Sequence, residues 1–256
     1  MEFLFNQPWL LGLLTALLLA ALIEAGRQAA VRARIQEDAN RKDQMVAIRD
    51  GLFVLVGLLL GFTLAIAAPR HAERRSLLTD EANAIGTTYL RAGTLPKPNR
   101  EQAEQLLRHY VAARLDLDNA GVDADRTTEA ISRAKQTQKR LWDGVLEVTK
   151  NDRSAVSTAY MNSLNQMIDL HEKRISALEN RIPRGVWLLI FSVSAIAAFA
   201  RGLTLSRRFW LTLVLAPLTI AIVVALIADL DTPSTGLIRL DQRAMQRLKA
   251  DINDPQ

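Results

Sequence analysis

"GFTLAIAAPRHAERR", Gly61–Arg75, passes within a single proline from an uncharged apolar run into a segment carrying Arg70, His71, Glu73, Arg74 and Arg75. No glycine- or serine-rich linker parts the two halves, so one helix is predicted to leave a bilayer and continue directly into a polar helix. Upstream the uncharged run reaches back to Gly51, and Gly51–Pro69 is close to the roughly 20 residues a spanning helix needs. Three more runs of this kind follow from the same reading, Phe3–Ile23, Gly185–Ala200 and Phe209–Ala228. The expected fold class is therefore an all-α membrane protein with four transmembrane helices, embedded in a lipid bilayer.

The rest of the composition agrees with that sorting. Of 256 residues, 49% are hydrophobic and 23% charged, and the two populations lie in blocks. The net charge of +5 comes from interspersed residues without a basic tail, a poor match to a nucleic-acid partner. The third run meets Arg201 before resuming as "GLTLS", which suggests a guanidinium snorkelling to the headgroups. Trp9, Trp187 and the Phe209/Trp210 pair stand at run edges, where amphipathic rings favour the membrane interface. "MEFLFNQPW" lacks the positive start of a signal peptide, so the first run is expected to remain in the protein. The chain has no cysteine, which excludes disulfides, thiolate metal sites and thiol nucleophiles.

Between the second and third runs lies a polar stretch too long for a loop. The predicted organisation is residues 1–69 with the first two spans, 70–184 as a helical insert domain, 185–228 with the last two spans, and 229–256 as a polar tail. Within the insert, "HAERRSLLTDEANAIGTTYLRAG" continues the second span and stops before the prolines of "TLPKPN". Asn99 is expected to cap the next helix, with Leu106, Leu107, Tyr110, Val111 and Leu115 inward. A third helix is expected from about Arg126 to Lys150, with Ile131, Ala134, Leu141, Val145 and Val148 inward. A fourth, after "NDRS", carries Tyr160, Leu164, Met167, His171, Ile175 and Leu178 on one stripe.

No constellation for catalysis accompanies these helices. His71, His109 and His171 are scattered, no hydrolase, metalloprotease or nucleotide-binding motif occurs, and the carboxylates stand mostly three or four residues from Lys or Arg. An enzyme, a cofactor and a metal site are therefore not expected, and His171, on an apolar stripe, reads as a satisfied core histidine. The second span is richer. Gly57, Gly61 and Ala65 repeat every four residues and form a face small enough for close helix packing. The other face carries Leu55, Leu59, Phe62, Ile66 and, beyond the span, Arg70.

The stretch "LLGFTLAIAAPRHAERRSLLTDEANAIGTTYLRAGTLP", with "LLRHYVAARLDL" and "IADLDTPSTGLIRL", resembles the bestrophin-like domain family of bacterial membrane proteins over about Gly51–Leu240. "EANAIGTTYLR" is the most specific block, and the kinship to true bestrophins is more distant. That resemblance implies a pentameric ion channel, conducting anions such as chloride, with the second span lining the pore. Phe62, Ile66 and Leu59 would then form the constriction, and Arg70, Arg74 and Arg75 the vestibule below it. It also implies a homo-oligomer passing small inorganic ions in the inner membrane, with insert and termini cytosolic. The aromatic neck of animal bestrophins would be represented by Phe62, and their calcium clasp by Asp229 and Asp231 alone, too few ligands for Ca²⁺.

Lys and Arg near the span ends balance between the two sides, so charge does not orient the chain. The alternative function is a membrane sensor or scaffold using the insert to bind a ligand or partner, although no output module accompanies it. Packing of the "EANAIGTTYLR" helix is expected through Ala82, Ile85, Gly86 and Tyr89, with Gly86 marking a close contact.

Overall fold

A computed structural model describes residues 7–33, 39–121, 123–152, 154–205, 210–232, 236–238 and 240–254. Its helices are α1 Pro8–Arg32, α2 Ala39–Ala92, α3 Asn99–Asn119, α4 Ala124–Asn151, α5 Ala155–Glu179, α6 Arg184–Leu203, α7 Trp210–Asp231 and α8 Arg243–Asn253. No strand occurs among the described residues, and four helices are long and apolar enough to cross a membrane. The chain divides into two compact units. One holds Met1–Arg70, Arg181–Thr232 and Gly236–Ile238, and the other His71–Asn180, Pro233–Thr235 and Arg239–Gln256.

The apolar unit packs α1 against α6 and α7. Leu19, Ile23, Val56, Leu60, Ile190, Ala197, Val224 and Ile227 fill its core. Closest approach occurs at Gly26 and Gly202, where an added Cβ would overlap the carbonyl of Phe199 or of Ile23, respectively. Only glycine permits helices so close. Arg201 is half-buried in the last turn of α6.

Trp9 and Trp210 are exposed, whereas Trp187 is buried and stacked on Phe191 at 5.9 Å. It shares the buried face of α6 with Ile190 and Ser194, three and seven residues on. Phe209 lies outside the described residues. Two prolines sit inside helices, Pro69 in α2 and Pro217 in α7, and each helix continues through its proline.

In the polar unit, Leu107, Tyr110, Val111, Ala134, Leu141, Leu164 and Met167 form the centre of the core, as their periodicity predicts. Two helix starts differ from expectation. Asn99 does not cap α3 but is its first helical residue, because the Pro98 carbonyl already accepts from the Gln102 N–H at 3.2 Å. The helix α4 begins at Ala124 rather than near Arg126, since the Asp123 carboxylate accepts from the N–H groups of Asp125 and Arg126, both at 3.1 Å. Ser154 caps α5 through the Ser157 N–H at 3.3 Å.

The tail, expected to be merely polar, contributes α8, whose Met245, Leu248 and Ile252 are buried. Tyr89 donates to the Ile252 carbonyl at 3.3 Å, and Arg108 Nε does so at 2.9 Å. At Gly86 an added Cβ would meet Leu248 Cδ1 at 3.3 Å.

Candidate functional site

Three arcs of α2 share the apolar segment. Val56, Leu60, Thr63 and Ala67, spaced by four, three and four residues, are buried in the core of the apolar unit. Thr63 satisfies its hydroxyl by donating to the Leu59 carbonyl at 2.7 Å. A second arc carries Leu55, Phe62 and Ile66; Phe62 is 61% exposed and Ile66 51%. At about 100° per residue Phe62 and Ile66 stand about 40° apart with Leu55 between them, and half-buried Leu59 forms the shoulder toward the core.

The third arc is Gly57, Gly61 and Ala65. An added Cβ at Gly57 or Gly61 would meet nothing within 4 Å, and Ala65 is exposed. Within one chain, then, α2 packs through a face that periodicity of small residues did not mark. Within the described chain the close glycine contact is between α1 and α6. Val56, Leu60 and Ala67 make the α2 contact by filling volume in the core of the apolar unit rather than admitting a backbone.

The three arginines after the span have different environments. Arg70 is half-buried, and its Nη1 is buried without a hydrogen-bond partner among the described residues. Arg75 is exposed. Arg74, expected to face a vestibule, is interior: only 1% exposed, it donates from Nε to the Ala177 carbonyl at 2.9 Å and from Nη2 to the Asn180 carbonyl at 2.8 Å. It thereby satisfies carbonyls that the end of α5 leaves without helical donors, and its charge complements the negative pole there.

Beyond the span, α2 supplies Glu81 to a buried polar network that the sequence does not advertise. Arg114 Nε lies 2.8 Å from Oε1, Arg114 Nη2 donates to Oε2 at 3.0 Å, and Arg174 Nη1 donates to Oε2 at 2.7 Å. Tyr110 donates to Oε1 at 3.1 Å, stands 3.0 Å from His171 Nδ1, and accepts from Gln138 Nε2 at 3.2 Å. Arg174 also pairs with Asp118.

Burial would raise the Glu81 pKa, but Arg114, His171 and Arg174 overcome it and hold the carboxyl well below the usual range. Burial first, then the Glu81 charge, pushes the Tyr110 hydroxyl far upward. For Arg174, burial opposes the charged form, yet Asp118 and Glu81 more than restore it. Helices α2, α3, α4 and α5 are thus joined by two carboxylates balanced against two guanidiniums. Both Glu81 oxygens are occupied, which leaves no free general base there.

These charges were expected to pair along their own helices. Glu81 pairs across helices instead, because it shares a face with Leu78, Ala82 and Ile85, all buried. That placement is the signal that could have found it, as is Arg114 following Leu107, Tyr110 and Val111 on one stripe. His171 is fully buried in the network, in keeping with its stripe.

The acidic pair in the last turn of α7 is committed to backbone. Asp229 accepts from the N–H groups of Leu237 at 2.9 Å and Ile238 at 3.0 Å, and Asp231 accepts from the Ile182 N–H at 3.0 Å. Gly236, at φ 107°, lets the chain fold onto Asp229; a Cβ there would overlap the carboxylate. Among the described residues no group of three or more His, Asp or Glu is placed to hold a metal ion.

Comparison with known proteins accords with this architecture. The chain is similar in fold to a point variant of a bacterial bestrophin homologue from Klebsiella pneumoniae, with a TM-score of 0.67 at 13% identity, over 93% of this chain and 96% of that one. It is equally similar to a solved structure described as a membrane protein, with a TM-score of 0.67 at 14% identity, over 94% and 96% of the two chains. No curated protein matches the sequence. The profile of the Bestrophin-like domain matches residues 15–245, nearly the whole of the helical chain described above, and by that match this multi-pass membrane protein belongs to the Bestrophin-like family.

Proposed function

We propose that the chain is one subunit of an oligomeric, anion-conducting channel whose pore is lined by α2. The observation that carries the reading is the pair of uncovered arcs on that helix, one of small residues and one of bulky apolar ones, side by side in a single chain. A second copy closing on Gly57, Gly61 and Ala65 leaves Phe62 and Ile66 toward a common axis, with Leu59 at their shoulder. A ring of apolar side chains resists ions by dewetting, since an ion entering it sheds water without gaining ligands. Arg70, with a buried guanidinium nitrogen lacking a partner, and exposed Arg75 favour anions such as chloride beyond the constriction.

Arg74 acts in this reading as an anchor rather than a vestibule lining. Family membership supports a channel, and the reading takes it as a pentamer in the inner membrane, with residues 70–184 as a cytosolic insert between the second and third spans.

Flux through proteoliposomes tests the proposal. A Phe62→Ala, Ile66→Ala double variant should conduct more than the parent, and Leu188→Ala on the exposed face of α6 should not. If the double variant is folded and oligomeric yet its flux is unchanged, α2 does not line a pore.

A further inference from the structure

Beside the junction of α2 and α8 lies a charged cavity that shares only Arg75 with the channel reading. It has a volume of about 550 Å³ and is lined by Arg75, Asp241, Arg243, Gln246, Arg247 and Ala250. Asp241 is engaged by one of these cations: the Arg243 backbone N–H donates to it at 3.0 Å and Arg243 Nε at 2.7 Å. Those bonds, the side-chain one foremost, hold the Asp241 carboxyl down at about 2.

The other two guanidiniums are less engaged, Arg75 acting on Asp241 only through its charge. Neither Arg75 nor Arg247 forms an ion pair among the described residues, and Arg247 Nε reaches only the Arg243 carbonyl at 3.3 Å. Arg75 is carried by α2 and Arg247 by α8, whose Met245, Leu248 and Ile252 are buried and whose last turn is held by Arg108. Three arginines around one carboxylate repel each other unless an anion joins them.

We propose that this groove binds a phosphate-bearing anion, gripped between Arg75 and Arg247. The guanidinium fork matches phosphate oxygens two at a time, which a lone halide cannot use, and the cavity is far larger than a halide. The proposal does not depend on the channel reading. Arg75 follows the last residue of the apolar run, Pro69, by only six positions in α2, so the phosphate belongs either to a lipid headgroup or to a soluble molecule.

A second open cavity, lined in part by His109, Arg133, Lys139 and Arg140, serves as the control, because its Arg133 is already paired with Asp116 at 3.0 Å.

The test is calorimetric titration of the full chain in uncharged detergent with pyrophosphate and, separately, with a short-chain phosphatidic acid below its micellar concentration. Saturable binding of at least one probe is expected, weakening as salt is added. Arg75→Gln and Arg247→Gln should each weaken it about tenfold, and Lys139→Gln should leave it unchanged. Saturation by pyrophosphate alone assigns a soluble ligand, and saturation by the lipid alone or more tightly assigns a headgroup. The proposal is overturned if neither probe saturates, if both arginine variants bind like the parent, or if Lys139→Gln weakens binding as much as they do. Thermal melting of each variant without ligand separates lost binding from lost folding.

Discussion

Gly26 of α1 and Gly202 of α6 face each other with no side chain between them: a Cβ on Gly202 would stand 2.9 Å from the Gly26 Cα, and one on Gly26 3.1 Å from the Gly202 Cα. Alanine normally improves a helix by about 1 kcal/mol over glycine. Here the obstructing atoms are backbone and cannot swing aside, so Gly202→Ala is expected to destabilise the apolar unit by about 1–3 kcal/mol. A lowered melting temperature in detergent checks it; an unchanged or raised one contradicts the crossing.

Glu81→Gln should cost about 3–5 kcal/mol, because it leaves Arg114 and Arg174 buried against a neutral amide. The pH dependence has a definite sign. Since the folded chain holds Glu81 below its ordinary value of 4.5, the stabilisation is complete above about that pH and is lost as acid drives the carboxyl through its lower folded value. Melting curves from neutral to acid pH should therefore fall more steeply for the parent than for Glu81→Gln.

Gly61→Leu places a branched side chain on the uncovered small-residue arc, where a single chain offers no obstruction. The subunit should fold and its assembly should fail. Native mass measurement in detergent reads this directly, and a full-sized complex would show that the arc is not a contact between copies.

Arg70 and Arg74 should separate by phenotype although they are four residues apart. Arg70→Glu is expected to shift the reversal potential toward cation permeation, most at low ionic strength. Arg74→Gln should leave selectivity alone and lower thermal stability by about 1–3 kcal/mol, since it strips donors from two carbonyls at the end of α5. A selectivity change in a stably folded Arg74→Gln would reverse these assignments.

Much of the fold was legible because apolar runs and 3.6-residue stripes report burial directly: Leu107, Tyr110 and Val111, or Leu164, Met167 and His171, are interior as their spacing predicts. What escaped was burial that runs against residue type. Arg74, Glu81, Arg114 and Arg174 are charged and interior, and their partners lie on other helices far along the chain. Gly26 and Gly202 stand far apart in sequence, so no local repeat announced their meeting. Conversely, the Gly57/Gly61/Ala65 repeat was visible at once, yet a Cβ at Gly57 or Gly61 would touch nothing within 4 Å among the described residues. Within α8, the spacing of Met245, Leu248 and Ile252 did carry a helical stripe, hidden by the charges around it.

Pro69, carried inside α2, has a last consequence. Lacking an N–H, it leaves the Ala65 carbonyl without the donor that every neighbouring carbonyl of the helix receives. In dry hydrocarbon such an orphan is costly, so a water molecule or a donor from elsewhere has to reach that oxygen. The Ala65 carbonyl, one turn before the proline and one residue before Ile66, is thus the oxygen of this stretch that stays open to a bond from outside its own helix.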